Sequence, residues 1–104
     1  MAKPAGADLA GLVAEAATAL GIEPVDGDGG MAYRVAGAIV VVVEEGEAEF
    51  RLGAEIAAAA ARTPHASPSP RGPEWVAFSP ATLDRFTRDR VAAWFGFAVR
   101  EAGG

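Results

Sequence analysis

The side chains able to do chemistry are few, and His65, the single histidine, is the place to begin. It stands in the run Thr63-Pro64-His65-Ala66-Ser67-Pro68-Ser69-Pro70-Arg71, which puts two serines close to a potential base. Hydroxyl activation needs the base within hydrogen-bond reach of the nucleophile. A proline-rich chain points residues two apart in different directions, and neither G-x-S-x-G nor S-x-x-K occurs, so Ser67 and Ser69 read as loop residues rather than nucleophiles. The run Asp26-Gly27-Asp28-Gly29-Gly30 opens like a calcium loop. The fifth, sixth and twelfth positions, however, hold Gly30, Met31 and Gly37, where such a loop needs an acceptor, a glycine and a glutamate. A flexible turn is the expectation.

Two charged groups remain. Glu44, Glu45, Glu47 and Glu49 crowd one short stretch. Such repulsion is relieved by a cation or a basic partner, or else the charges solvate a turn and guard a strand edge. Arg71 and Gly72 lie between Pro70 and Pro73, close to Trp75, a stiff setting that can hold out a guanidinium to a phosphate or carboxylate. Arg85, Arg88 and Arg90 add to that field from a following helix, although Asp84 and Asp89 interleave with them. The candidate binding set is therefore Arg71, Trp75, Arg85, Arg88 and Arg90. No acid, base and nucleophile can be named together, and no metal ligands or cofactor are expected. Gly27, Gly29 and Gly30 precede a strand rather than a helix, the reverse of a phosphate-cradling arrangement.

The elements that must position these groups follow from hydrophobic spacing. Leu9, Leu12, Val13, Ala16 and Leu20 line one face of a helix over 8–20, with Asp8 as its cap and Gly21 as its stop. Residues 23–30 read as a connector. Met31, Tyr33 and Val35 alternate with smaller or polar residues, Ala38 to Val43 form a largely β-branched run, and Phe50 and Leu52 share a face. With turns at Gly37 and at Glu44-Glu45-Gly46, these predict a three-stranded meander. Residues 53–62 read as a helix anchored by Ile56, and residues 63–73, with four prolines, as an extended exposed loop. Residues 74–78 read as a fourth strand. Ser79 and Pro80 are placed to start a last helix whose apolar stripe is Leu83, Phe86, Val91, Trp94, Phe95 and Ala98. Trp75 and Trp94 fall at strand and stripe positions that read as core. The expectation is a single α+β domain over 1–104: an antiparallel sheet of about four strands, helices mainly on one face, in the order α-β-β-β-α-β-α.

Composition narrows the setting. The absence of cysteine removes disulfides, thiolate metal sites and cysteine nucleophiles, and with no apolar run long enough for a signal or a span, a soluble cytoplasmic protein is expected. A net charge of −5 opposes nonspecific attraction to nucleic acid or anionic membrane. Eight of the nine basic residues are arginine, which with the alanine and glycine excess reads as codon bias rather than a recognition device.

From residue 31 onward the order of features resembles the small MmcQ/YjbR-type proteins, which share a CyaY-like, double-wing α+β fold. The resemblance rests on Tyr33-Arg34-Val35-Ala36-Gly37 before a strand, a helix ending near a proline-rich loop, Trp75-Val76 opening a strand, and a terminal helix. It covers about residues 31–102 and implies a candidate DNA-binding role. The chain departs from that pattern where a lysine commonly follows the turn glycine, since Ala38 stands there. It departs again before the strand tryptophan, where Arg71 is the only base in place of a histidine and a lysine. The reading taken forward is a non-catalytic binding or protein-interaction module, with a protein partner or self-association. DNA binding is the alternative, and no membrane role is expected.

Overall fold

The computed structural model describes residues 5–27, 30–44 and 46–103. Helix α1 spans Ala5–Ala19, and Gly21, at φ 73, reverses the chain in the left-handed region that glycine adopts without strain. The amides of Ile22 and Gly21 donate to the carbonyls of Ala17 and Thr18, the paired bonds of a Schellman stop. The helix begins before Asp8, so Asp8 lies within it rather than at its cap.

A six-stranded antiparallel sheet follows, with two strands more than the hydrophobic pattern predicts. The strands are β1 (Pro24–Gly27), β2 (Gly30–Val35), β3 (Ala38–Glu44), β4 (Glu47–Arg51), β5 (Ala66–Pro68) and β6 (Trp75–Phe78). They lie in the order β1-β2-β3-β4-β6-β5. The additional strands are the two edges, β1 inside the expected connector and β5 inside the expected proline-rich loop. Both have little apolar periodicity because an edge strand needs only backbone pairing on one side, and a proline costs least there. The acidic-glycine run is thus largely strand, with Asp28 and Gly29 outside the described residues, as Glu45 is in the next turn.

Register explains which side chains meet. Tyr33, Val41, Phe50 and Val76 align across β2, β3, β4 and β6, and Val43, Ala48 and Phe78 align beside them. All point to the face that carries the helices. The register slips between Tyr33 and Arg34, leaving Val40 as an extra residue on β3, so Val40 and Val41 are both fully buried in succession. Helix α2 (Ala54–Ala60) and helix α3 (Arg85–Gly103) pack on the same face as α1. Trp94 meets Phe50 and Phe78 edge to face at 5.7 and 5.2 Å, and Phe95 meets Tyr33 at 5.3 Å, geometries that suit the ring quadrupoles. Burial pushes the Tyr33 phenol above its ordinary pKa.

Three anchors differ from the sequence reading. Helix α2 buries Ala57 and Ala60, while Ile56 is 40% exposed; the methyl-sized face lets the helix lie close to β5 and β6. Helix α3 starts at Arg85, not Pro80, because Asp84 rather than Ser79 caps it. Its buried stripe is Thr87, Val91, Trp94, Phe95 and Ala98. Phe86 lies five positions before Val91, about 140° round the helix, and is 70% exposed.

Candidate functional site

The five residues read as a binding set fall into two groups with the sheet between them. Arg71 and Trp75 belong to the face without helices. Alternation along β4 sends Phe50 into the core and Glu49 and Arg51 the other way, and β6 aligns Ala77 with Glu49 and Trp75 with Arg51. The loop 69–74, joining β5 to β6, folds over this corner. Its path is fixed by backbone bonds, the Glu74 carbonyl accepting from the amides of Leu52 and Gly53, and the Gly72 carbonyl from Trp75.

Glu49 organises the corner. Only 4% exposed, its carboxylate accepts a hydrogen bond from the Ser69 hydroxyl on one oxygen and from Arg71 Nε at 2.8 Å on the other. The Ser69 hydroxyl in turn accepts from the Arg71 backbone amide at 3.1 Å. An enclosed carboxylate requires this kind of paired, hydrogen-bonded surrounding. The Arg71 guanidinium lies 5.5 Å from the centre of the Trp75 ring, and Arg51 donates to Glu74 Oε1 through Nε at 3.1 Å, with Nη2 at 3.0 Å. Trp75 is thus half-buried as the platform for a cation instead of part of the core. Arg51, Arg71 and Trp75, with Ile39, Pro73 and Glu74, bound a depression of about 290 Å³.

Beside it the acidic crowd is real, for Glu44, Glu47 and Glu49 bring carboxylate oxygens within 4.8 Å of one another. Glu44 and Glu47 face each other across β3 and β4. Part of the relief comes from inside the chain: Arg71 neutralises Glu49, and the Ser79 hydroxyl donates to Glu47 at 3.2 Å.

Arg85, Arg88 and Arg90 lie on the helix-bearing side. Arg90 lines a groove of about 230 Å³ between residues 63–65, residues 80–84 and the first turns of α3, Arg85 reaches it through the Phe86 ring, and Arg88 turns toward Glu15 of α1. Asp84 holds the helix start, accepting from the Thr87 amide at 2.9 Å and from the Thr82 hydroxyl at 3.4 Å. The Thr87 amide, more than any other group, holds the Asp84 carboxyl below the usual aspartate range. The Thr87 hydroxyl donates to the Thr82 carbonyl, which ties the loop to the helix. His65 forms the opposite wall with its backbone at φ 68, where its carbonyl accepts from the Ser79 amide at 2.9 Å.

Phe86 stands at this groove, 70% exposed, with the Arg85 guanidinium 5.8 Å from its ring. Arg90 also lines the groove and lies 5.8 Å from the Trp94 ring. Arg88 approaches Glu15 at 3.9 Å with both side chains well exposed, an ion pair of little energetic weight. Among the described residues neither Arg85 nor Arg90 has a carboxylate within salt-bridge distance. The serines and the histidine part company, Ser69 bonding to Glu49 on the open face while His65 lines the groove beside α3.

The residues not singled out from sequence are Phe86 as an exposed ring, and Arg51 and Glu74 as partners of the Arg71 corner. Period-two alternation around Phe50 carried a signal for Arg51. The pairing of Arg51 with Trp75 depends on a strand contact across 24 residues, which local patterning does not encode. Comparison with protein-family models, with curated proteins and with solved structures gives no match. Among the described residues, no helix is long and apolar enough to cross a membrane.

Proposed function

We propose that the protein is a non-catalytic interaction module that grips an acidic, apolar-tipped segment of a partner protein in the groove between His65 and α3. The observation that carries this reading is Phe86, an aromatic ring left 70% exposed between Arg85 and Arg90. Neither guanidinium is matched by a carboxylate among the described residues. Exposed aromatics flanked by arginine are the residue types that anchor interfaces, and the unmatched guanidinia supply complementarity to acidic side chains. The groove's Asp84 and Thr87 are engaged in capping, which favours binding over chemistry.

The test is a titration of ¹⁵N-labelled protein with the peptide acetyl-Asp-Glu-Leu-Phe-Glu-Asp-amide and, separately, with short duplex DNA. The peptide is expected to produce saturable amide shifts at His65, Phe86 and Arg90. Phe86→Ala should weaken it about tenfold while changing stability by no more than about 0.5 kcal/mol. Absence of saturable shifts with the peptide removes the reading. Saturable shifts with DNA along α3 that persist at physiological salt would replace it with the nucleic-acid role that the family resemblance implies.

A further inference from the structure

We propose that the Arg51, Arg71 and Trp75 corner of the open sheet face is a binding site for a monocarboxylate with a flat apolar body. The site lies across the sheet from the groove and does not depend on it.

Both guanidinia are fixed before any ligand arrives. Arg71 is held through Nε by the enclosed Glu49 carboxylate and stacks on the Trp75 ring, while Arg51 is held by Glu74 through Nε and Nη2. The two Nη groups of Arg71 and Nη1 of Arg51 make no hydrogen bond among the described residues, and both arginines line the same depression. Guanidinium forks engaged on one side, with outer N–H groups free, are the geometry that planar oxyanions match. Ile39, Pro73 and the indole of Trp75 offer apolar wall for the rest of the ligand.

Charge and size choose the class. Arg51 and Arg71 are balanced by Glu49 and Glu74, and Glu44 and Glu47 stand close to Glu49. That field opposes the near-double charge of a phosphate monoester and leaves room for a single charge held by directed hydrogen bonds. The depression of about 290 Å³, lined by Arg51, Arg71, Pro73 and Trp75, has room for a one-ring acid. The carboxylate can belong to a free small acid or to the C-terminal residue of a peptide.

The experiment follows the Trp75 indole N–H and the Arg71 and Arg51 Nε–H resonances during titration with sodium benzoate, benzamide and phenyl phosphate. Benzoate is expected to saturate, with benzamide and phenyl phosphate each about tenfold weaker or more. Equal binding of benzamide, tighter binding of phenyl phosphate, or no saturation with benzoate overturns the proposal. Arg51→Lys, which alters only a partly exposed pair, is expected to weaken benzoate about tenfold by replacing a fork with a point charge. Unchanged affinity in that variant overturns the proposal, and Phe86→Ala should leave benzoate binding as it is. Acetyl-Gly-Phe and its amide distinguish the sources. Tighter binding of the free-acid peptide than of benzoate assigns a chain terminus, and weaker binding assigns a free acid.

Discussion

Ala36 occupies a backbone conformation that side-chain-bearing residues avoid, with φ 54 next to Gly37 at φ 84. Successive positive φ values in a two-residue connection between β2 and β3 match the primed hairpin turn, whose first central position favours asparagine or glycine. Ala36→Asn should therefore raise stability by about 0.5–1 kcal/mol, read as a higher urea midpoint at unchanged slope. At Asp84 the effect is electrostatic. Its carboxyl titrates below the usual aspartate range because the ionised form accepts from the Thr87 amide, so its contribution is complete above about pH 4 and is lost as pH falls below that. Asp84→Asn should flatten the acid limb of the stability profile in thermal melts taken across that window. The adjacency of Arg71 and Trp75 was legible in the sequence, since both sit at the ends of one short stiff loop. The exposure of Phe86 was not, because the stripe reading admitted Phe86 although it lies about 140° round the helix from Val91.

Helices and central strands announce themselves through apolar periodicity, and α1, β2, β3, β4, β6 and most of α3 could be read in this way. The edges could not. β1 is built from Pro24, Val25, Asp26 and Gly27, and β5 from Ala66, Ser67 and Pro68; their extended form is decided by neighbours that supply hydrogen bonds, not by their own side chains. The same dependence makes Gly30 critical. A methyl group there would overlap the Val43 carbonyl, in the pairing that holds β2 to β3. Gly30→Ala should destabilise the protein by about 2 kcal/mol or more, with the loss of amide protection concentrated in β1 and β2. The start of α3 was misplaced for a related reason. Ser79-Pro80 and Asp84 both satisfy the sequence rule for a cap, and the choice falls to Asp84 because Ser79 is drawn to Glu47 and its amide to His65.

Across the whole molecule the sheet divides two kinds of surface. Among the described residues, one side is covered by three helices and carries the groove with its unmatched arginines; the other carries the 69–74 loop and collects glutamates around one buried carboxylate. The general α+β class with terminal helices was readable from the order of patterns. The separation of Arg71 from Arg85, Arg88 and Arg90 was not, because it depends on which face each strand presents after a bulge and a crossover. Strand order has a further consequence for how the chain assembles. β1 to β4 pair with their immediate neighbours in sequence, so their loops close at small entropic cost, whereas the β5–β6 hairpin must return past α2 to reach β4. The meander should then form the folding nucleus and the hairpin should dock late, a sequence of events readable as high φ-values at Val41 and Phe50 and low ones at Ala66 and Val76. If the hairpin also opens before the meander in the native protein, amide exchange at Ala66 and Ser67 should be faster than at Val41 and Phe50, and the loop that holds Arg71 against Glu49 should exchange with it.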